Sequence, residues 1–376
     1  MLAEVVELAG FEPAVYCDAK HFFKDGQFND DSVILLDLNM PSMDGVEVIR
    51  ELAIHKCRAS LILMSGYDMG VLHSAEKLAL AHKLEIISSF TKPIQLNDLL
   101  STLVDHKKTD NQQSKQHGSS GYEPSKEEIL TGIANGEMEL YFQPQISLKT
   151  GFIIAAEALI RWNHPVHGLL PPGVFIERAE KFELMDVLTT AVLNMAMEQL
   201  QGQKNYSKMI PLSVNVSADL IRSIQLPEQL NDMLRAKRLT PKSITLEITE
   251  SVVMGELVTS LDILTRLGMK GFSLSIDDFG TGFSSLSMLH KIPFNELKVD
   301  KSFVMEMDKD KDAMAIVKTC IMLAKELNMT VVAEGVESEQ TLNQLTEMGC
   351  DIAQGYHIAK PMSRDAFDEW VTENLR

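Results

Sequence analysis

The chain has few cysteines, no long hydrophobic run and no cluster of basic residues. Its four cysteines, Cys17, Cys57, Cys320 and Cys350, are far apart in 376 residues and lack CxxC or Cys/His spacing. This pattern favours reduced packing thiols over disulfides or a zinc site. No run of about 18 apolar residues is present, so the sequence predicts no membrane span. The first residues show no basic segment ahead of an apolar one, and a cytoplasmic location is therefore expected.

Acidic residues outnumber basic ones. The formal net charge is −18, from 53 acidic and 35 basic residues. No basic run is long enough to follow a phosphate backbone, so direct nucleic-acid binding is not expected. If a phosphate ligand binds such a chain, cations must mediate the contact.

One polar segment divides the chain. Residues 106–122 are rich in Gln, Ser and Gly and contain almost no aliphatic side chain. Such a composition cannot bury enough apolar surface to become ordered, and it predicts a linker. The expected domains are therefore residues 1–105 and residues 123–376.

The larger domain alternates short apolar runs with amphipathic ones. Runs such as IPLSVNV, SITLEIT and FSLSID are typical of strands. Segments such as VTSLDILTRLGM carry apolar residues at helical spacing. This alternation predicts an α/β fold of the (β/α)₈ TIM-barrel type, with an open doubly wound sheet as the alternative.

Polar residues stand at the ends of the predicted strands. They are Glu157, Asn215, Glu247, Asp277, Asp278, Lys298, Asp300, Glu334 and Gln354. In a barrel these ends converge on the face that carries the catalytic groups. One carboxylate there would indicate no more than a helix cap or a solvated loop, but several converging carboxylates repel one another unless a divalent cation binds.

The types of these residues indicate the ion and the chemistry. Ligand sets made only of oxygen atoms suit magnesium, manganese or calcium. The adjacent pair Asp277 and Asp278 suits a two-metal site for phosphate chemistry. Arg161 could grip a phosphate oxygen or form a surface salt bridge, and Lys298 could orient or help to deprotonate a water.

Eight motifs then resemble, in order, those of an EAL-domain cyclic di-GMP phosphodiesterase. They are YFQPQ at 141–145, EALIR at 157–161, NVS at 215–217, LEITE at 246–250, DDFGTG at 277–282, LKVD at 297–300, AEGVE at 333–337 and QGYHIAKP at 354–361. The resemblance implies hydrolysis of cyclic di-GMP to linear pGpG with two Mg²⁺ or Mn²⁺ ions. No GGDEF-like sequence is present, so synthesis of the dinucleotide is not expected.

The resemblance also implies a role for each matching residue. One ion would be held by Glu157, Asn215, Glu247 and Asp277, and the second by Asp277, Asp278 and Glu334. Lys298 would position the attacking water, with Glu334 sharing the role of base. The substrate-binding group would comprise Gln143 and Arg161, which contact the dinucleotide, and Asp300, Glu337 and Gln354, which hold the inner shell in place. Glu250 would anchor the loop 280–285, which similar proteins use to connect metal binding with dimer contacts.

Residues 1–105 resemble a response-regulator receiver domain. Asp37, Ser65 and Lys92 stand at the ends of three apolar strands, in SVILLDLNMPSMDG, SLILMSG and IISSFTKP. The resemblance implies a flavodoxin-like fold with Asp37 as the phosphoacceptor. A sensor histidine kinase would be the partner if the receiver is functional.

The receiver departs from its family at the start. Receivers begin with a strand that ends in a magnesium-binding acidic pair, whereas MLAEVVELAGFEP has the pattern of the helix that should follow it. In the sheet order 2-1-3-4-5 that strand lies between two others, so its loss would leave two edges unpaired. The natural start is expected upstream of Met1, and a defective receiver is the alternative.

The alternative to an enzyme is a catalytically silent cyclic di-GMP sensor or interaction module of the same fold. Loss of a metal ligand or of Lys298 would favour it, but each of these positions is intact. A transcriptional output is disfavoured, because neither a helix-turn-helix pattern nor a basic patch is present. From similar proteins, a homodimer through the barrel is expected.

Asp37 is expected to be phosphorylated weakly or not at all by small phosphodonors, because the acidic pair that binds magnesium is absent from the sequence as given. The measurement is the stoichiometry of acyl phosphate after incubation with such a donor. Stoichiometric labelling of Asp37 would contradict the prediction.

Overall fold

The computed structural model describes residues 2–25, 32–40, 43–55, 57–66, 69–82, 84–96, 98–104, 106–107, 122–203, 209–250, 252, 257–281, 289 and 291–374. The chain forms two compact units, Met1–Ser120 and Gly121–Arg376. Most of the predicted linker, residues 108–121, lies outside the described residues. In the part of the chain that is described, no helix combines the length and apolar character needed to cross a membrane.

The first unit contains a three-stranded parallel sheet. Its strands are β1 (Val33–Asp37), β2 (Ser60–Ser65) and β3 (Ile86–Thr91), in that order. Its helices are α1 (Leu2–Leu8), α2 (Ala19–Asp25), α3 (Gly45–Ile54) and α4 (Met69–Ala81), and residues 98–104 are also helical. The central strand β2 is buried along its whole length, as expected for a parallel strand covered on both faces. Leu61 and Leu63 pack with α3 and α4, whereas Ile62 packs on the opposite face with Val5 and Leu99.

The segment after α1 forms no strand and pairs with none of the described strands. In the order 2-1-3-4-5 the second strand has the first as its only neighbour. In the sequence, residues 11–16 stand where that second strand is expected, and they form no strand. The three observed strands therefore correspond to the last three of that order, and the predicted flavodoxin-like sheet without its first strand is confirmed.

The second unit is a closed barrel of eight strands. The strands are β4 (Met138–Ser147), β5 (Ile153–His164), β7 (Leu212–Asn215), β8 (Ile244–Thr249), β9 (Ser273–Phe279), β10 (Glu296–Val299), β11 (Thr330–Ala333) and β12 (Ile352–Ala353). Around the ring the order is β4-β12-β11-β10-β9-β8-β7-β5, and the pairing of β4 with β5 closes it. A ninth strand, β6 (Gly168–Leu170), pairs with the end of β5 outside the ring. The predicted barrel is confirmed, and the open sheet is excluded by the closure.

Helices and one hydrophobic core surround the ring. They are α5 (Lys126–Ala134), α6 (Pro172–Lys181), α7 (Met185–Gly202), α8 (Ala218–Ile221), α9 (Leu226–Ala236), α10 (Leu257–Met269), α11 (Lys301–Glu306), α12 (Lys311–Glu326), α13 (Glu339–Glu347) and α14 (Arg364–Asn374). Hydroxyl or carboxylate side chains cap the starts of several of these helices, such as Ser125 before α5 and Ser338 before α13. A single cluster of buried apolar side chains joins the strands to these helices.

One ring strand differs in direction from the others. β4 is antiparallel to both β5 and β12, whereas the other ring neighbours are parallel. The sequence pattern did not predict β4 as a strand. β4 and β5 have 10 and 12 residues, and β5 pairs with β7 only at residues 156–158. Residues 138–141 and 159–164 therefore extend past the pairing with β7, and we call them the ribbon.

The pair of strands β4 and β5, which includes the ribbon, has an apolar face and a polar face. On one face Met138, Leu140 and Phe142 are opposite Trp162, Ile160 and Ala158, and all six are buried. On the other face the register places Glu139, Tyr141 and Gln143 opposite Arg161, Leu159 and Glu157. Since directly opposed residues in an antiparallel pair share a face, β4 and β5 bring Gln143, Glu157 and Arg161 to one side.

Gly355 lies where the chain after β12 passes the backbone of Val336. A Cβ at Gly355 would lie within 2.6 Å of the Val336 carbonyl carbon and nearer still to its N and O. Val336 N donates to Gln354 O at 3.0 Å and its carbonyl accepts from His357 N at 3.0 Å, so this backbone cannot move aside freely. We expect Gly355→Ala to lower the free energy of unfolding of the barrel by about 1–3 kcal/mol.

Both tryptophans of the chain, Trp162 and Trp370, lie in the barrel unit, so urea unfolding followed by tryptophan fluorescence measures this change. The control is Gly173→Ala in α6, where no atom lies within 4 Å of the added Cβ. Alanine favours helices over glycine, so the control should be unchanged or more stable by up to about 1 kcal/mol. Equal stability of Gly355→Ala and the parent would contradict the prediction.

Candidate active site

Lys298 is the centre of the barrel site. It points inward from β10 and is 1% exposed. Its Nζ lies 2.6 Å from Glu334 Oε1, 3.0 Å from Glu247 Oε2, 3.1 Å from Asp277 Oδ1 and 3.8 Å from Glu157 Oε2. Burial lowers the pKa of Lys298, but these carboxylates together raise it well above its ordinary value. The ammonium group is therefore charged and joins carboxylates on β5, β8 and β9 with the one that follows β11.

A chain of amide side chains orients Glu157. Gln354 Nε2 donates to Glu157 Oε2 at 2.6 Å and is 3.1 Å from Gln143 Oε1, while Gln145 Nε2 donates to Gln354 Oε1 at 2.8 Å. Asn215 Nδ2 donates to Glu157 Oε1 at 2.9 Å. Burial acts to raise the pKa of Glu157, but Lys298 and the donors Gln354 and Asn215 outweigh it and lower that pKa. Glu157 is thus held as an anion in a fixed orientation.

The positive charge of Lys298 is too small to keep the pKa values of other carboxyl groups in the site at their ordinary level. Burial raises the pKa of Glu247 well above its ordinary value in spite of Lys298. Burial, with Asp277 and Asp300 adding to it, raises the pKa of Asp278 to about 6. Burial also raises the pKa of Glu334 to about 7, with Lys298 opposing and Asp277 adding to the increase. The cluster therefore has an excess of negative charge that a cation would neutralise.

A β-bulge turns both adjacent aspartates toward the site. Leu297 pairs with Ile276 and Val299 with Phe279, so β9 has one residue more than β10 between these pairs. Asp278 has φ = 54°, in the left-handed region that residues other than glycine seldom adopt. Neighbouring residues of a regular strand point to opposite faces. The extra residue and the left-handed turn remove this alternation, so Asp277 and Asp278 can act together.

Several oxygens of the cluster fit a cation. One oxygen each from Asp277, Asp278 and Glu334 lies within 4.8 Å of the other two. Both oxygens of Glu247 and Oδ1 of Asp277 are buried and make no hydrogen bond among the described residues. Glu247 Oε2 and Asp277 Oδ1 are close to Lys298 Nζ, but only as ion pairs. Buried acceptors without a directed donor are expected where an ion completes the site. The acidic cluster can therefore hold a metal ion.

Arg161 lies on the polar face of the ribbon. Its Nη1 donates to Ile160 O at 2.8 Å, and its guanidinium carbon is 5.3 Å from the centre of the Tyr141 ring. Burial lowers the pKa of Arg161, whereas Tyr141, Tyr356 and Glu157 oppose that change. Tyr141, Tyr356 and Gln145 belong to motifs quoted from the sequence but were given no role there. Their position inside those motifs was the only signal.

The remaining predicted site residues differ in their surroundings. Asp300 caps α11 by accepting from Ser302 N at 3.0 Å. Glu337 is exposed, and the structure gives it no hydrogen bond or ion pair with the described site residues. Glu250 is buried, and neither of its oxygens has a hydrogen-bond partner among the described residues. Residues 282–285 of the loop that it is predicted to anchor lie outside the described residues.

The first unit brings its three predicted residues to neighbouring strand ends. Lys92 Nζ forms an ion pair with Asp37 Oδ2, and Asn39 N donates to Asp37 Oδ1 at 3.0 Å. Lys92 N donates to Ser65 O at 2.7 Å. Asp37, Ser65 and Lys92 thus meet at one edge of the sheet, as the receiver resemblance implies.

Comparisons with known proteins agree with this geometry. Residues 126–361 match the EAL domain and residues 1–104 match the response regulator receiver domain. Cyclic di-GMP phosphodiesterase RocR of Pseudomonas aeruginosa is 32% identical over 340 residues, which are 90% of this chain and 86% of RocR. Oxygen sensor protein DosP of Escherichia coli is 38% identical over 251 residues, 66% of this chain but only 31% of DosP. The chain thus spans about a third of DosP.

A solved structure has the same barrel. The PaMucR phosphodiesterase in complex with c-di-GMP has a TM-score of 0.62 and 36% identity, and the match covers 64% of this chain and 98% of that one. The match to RocR extends over both units and most of both proteins. The chain belongs to the EAL domain family and carries a response regulator receiver domain ahead of its EAL domain.

Proposed function

We propose that this protein hydrolyses one phosphodiester bond of cyclic di-GMP to give linear pGpG, as the output of a two-component response regulator. The observation that carries the proposal is the convergence of five carboxylates and one buried lysine at the strand ends of the barrel. The similarity to the cyclic di-GMP phosphodiesterase RocR, which covers 90% of this chain and 86% of RocR, supports the assignment of substrate and reaction.

Divalent cations belong to this proposal. One ion would be held by Glu157, Asn215, Glu247 and Asp277, and a second by Asp277, Asp278 and Glu334. Mg²⁺ or Mn²⁺ is expected, because every donor atom in these sets is an oxygen. When bound, such ions neutralise phosphate charge and make a coordinated water more acidic.

The side chains of the site supply binding and proton transfer. Lys298 donates hydrogen bonds from a fixed position and can orient a water or a phosphate oxygen next to Glu334. Glu334, whose pKa is about 7, can accept a proton near neutral pH. Arg161 can bind a phosphate oxygen with its fork of donors, and Gln143 and Gln354 keep Glu157 in its orientation.

The first unit supplies the input of the proposed output protein. Asp37, with Lys92 beside it, is the proposed phosphoacceptor, and a sensor histidine kinase is the proposed partner. We also propose a homodimer through the barrel. No observation favours the silent sensor over the enzyme, since Lys298 and all the predicted ligands are present.

Removal of the Lys298 ammonium or of the Glu157 carboxylate should abolish hydrolysis of cyclic di-GMP. We expect Lys298→Ala and Glu157→Ala to lower the rate of pGpG formation by at least about 10²–10⁴-fold, because each removes a charged group at the reacting atoms. The measurement is chromatographic separation of product from cyclic di-GMP with purified full-length protein and Mg²⁺.

A surface lysine provides the control for this experiment. Lys237 is remote from the site, and its Nζ lies 3.2 Å from Glu198 Oε1 in an ion pair. Lys237→Ala should retain the parent rate, since surface ion pairs contribute little to stability. Unchanged turnover in Lys298→Ala would contradict the proposed role. Binding by the parent without turnover would show a sensor instead.

The raised pKa values of the site predict how stability depends on pH. In the folded protein Asp278 and Glu334 have pKa values of about 6 and about 7, and that of Glu247 is also raised, whereas unfolded carboxyls titrate near pH 4. Between these values the folded state binds more protons than the unfolded state, so stability falls as pH rises. The lowered pKa of Glu157 acts below this window, and the raised pKa of Lys298 acts above it.

Without divalent cations, the barrel should therefore unfold at a higher temperature at pH 5.5 than at pH 7.5, by at least about 2–4 °C. Mg²⁺ at pH 7.5 should remove most of the difference by stabilising the ionised carboxylates. Melting followed by tryptophan fluorescence tests this in the full chain, and Asp278→Asn should show a smaller pH effect. A melting temperature that rises with pH in the absence of metal would sink the interpretation.

A further inference from the structure

Tyr122 packs against the turn that connects β5 to β6. Its ring is stacked on His167, with ring centres 3.9 Å apart and an angle of 30° between the planes. Its hydroxyl lies 3.0 Å from His164 Nε2, and the two rings meet edge to face at 5.2 Å. Tyr122 is the last residue of the predicted linker, so the start of the barrel unit is attached to the end of β5.

The hydrogen bonds of His164 fix the direction of this contact. Its Nδ1 accepts from Val166 N at 3.1 Å and from His167 N at 3.2 Å. Nδ1 therefore carries no proton, and the proton of the neutral ring is on Nε2. Nε2–H donates to the Tyr122 oxygen, which leaves the Tyr122 hydroxyl to donate to Glu128 Oε1 at 3.4 Å. Burial, with Glu128 adding to it, raises the pKa of Tyr122 to about 12, so the phenol keeps its proton.

His164 belongs to the apolar face of the ribbon. It is two residues from Trp162 and lies on the same face of the strand, with the two ring centres 5.0 Å apart. Trp162 is fully buried, and its Nε1 donates to Glu137 Oε2 at 2.9 Å. Arg161 immediately precedes Trp162, so its side chain lies on the opposite, polar face of the strand. Tyr122 thus supports, from behind, the end of the ribbon that carries Arg161.

The ribbon depends on such support. Beyond the ring, β5 pairs with β4 and with the three residues of β6. A short antiparallel ribbon is only marginally stable by itself and is held by what packs on its apolar face. Tyr122 contacts the turn at residues 164–167, where β5 leaves the ribbon and β6 returns. A shift of this turn would move Arg161, which is three residues from His164.

We propose that Tyr122 is a positioning residue for Arg161, and that docking of the end of the linker on His164 and His167 sets the affinity of the barrel for the cyclic dinucleotide. The inference rests on the proposed function and adds to it a regulatory point outside the reacting atoms. Undocking of Tyr122 reduces substrate binding, while the carboxylates around Lys298 keep their arrangement.

The neighbouring residues provide a matched control. Arg178 Nη1 lies 2.8 Å from Glu123 Oε2, and Arg178 Nε donates to Pro124 O at 3.4 Å. These contacts fasten the same segment to α6 rather than to the ribbon. Glu123→Ala therefore loosens the segment next to Tyr122 without removing the contacts to His164 and His167.

The first experiment compares Tyr122→Ala, Tyr122→Phe and Glu123→Ala in the full chain, with kcat and KM for cyclic di-GMP measured in Mg²⁺. We expect Tyr122→Ala to raise KM about five- to tenfold with kcat changed less than about twofold, as for the loss of one oriented contact. Tyr122→Phe keeps the ring stack and should have a smaller effect, and Glu123→Ala should match the parent. An unchanged KM in Tyr122→Ala, or an equal increase in Glu123→Ala, would overturn the inference.

A double-mutant cycle separates positioning from a merely structural role. In an Arg161→Ala background, Tyr122→Ala should raise KM little further, because its effect passes through Arg161. Fully additive effects would refute the coupling. If Tyr122→Ala does not fold, as judged by tryptophan fluorescence, then Tyr122→Phe and His167→Ala take its place in the same cycle.

Binding distinguishes the failure of this inference from failure of the proposed function. The affinity for cyclic di-GMP is measured by calorimetry in Lys298→Ala and in Lys298→Ala combined with Tyr122→Ala. A parent that neither binds nor hydrolyses cyclic di-GMP contradicts both proposals. A parent that binds and hydrolyses it, with equal affinity in the two Lys298→Ala proteins, contradicts only the role of Tyr122.

Discussion

The barrel depends on one buried ammonium group placed among converging carboxylates. Lys298 is within 4 Å of Glu157, Glu247, Asp277 and Glu334, and Asp278 adds a fifth carboxyl nearby. Removing such charges from water is costly, and an ion pair repays the cost only with good geometry. One cation cannot pair with five carboxylates, so some of them keep a raised pKa and are strained as anions until further positive charge arrives. This strain is the physical reason for expecting a metal-dependent function.

The departures from regular barrel geometry are concentrated at this site. The bulge in β9 and the left-handed backbone of Asp278 place two adjacent carboxylates on one side. The antiparallel strand β4 brings Gln143 and Gln145 to Gln354, which orients Glu157. A regular parallel barrel would offer neither arrangement. Irregular backbone near functional residues is a common pattern, because function there outweighs local regularity.

The sequence was sufficient for the fold class and for naming the residues that converge. Short apolar runs followed by Glu247, Asp277, Lys298 or Glu334 placed these residues at strand ends, and the structure brings them together around Lys298. The sequence did not predict β4 as a strand, because YFQPQ contains Pro144, and proline is unusual inside a strand. The antiparallel direction of β4 was also not predictable, because local periodicity does not encode strand direction. The bulge was equally inaccessible, since it depends on the register with β10. The role of Tyr122 was hidden because it stands at the end of a segment whose polar composition predicts a linker without packing contacts.

The amide contact that orients Glu157 joins distant parts of the chain. Gln354 is separated from Glu157 by 197 positions and from Gln143 by 211, and β12 closes the ring onto β4. Contacts of this separation form late, since a long stretch of chain must be ordered first. During synthesis the N-terminal parts of a chain emerge first. A ribosome-bound chain can thus display the EALIR segment well before it holds Gln354, the last in sequence of the residues that orient its glutamate, so the complete site can form only after β12 has left the ribosome.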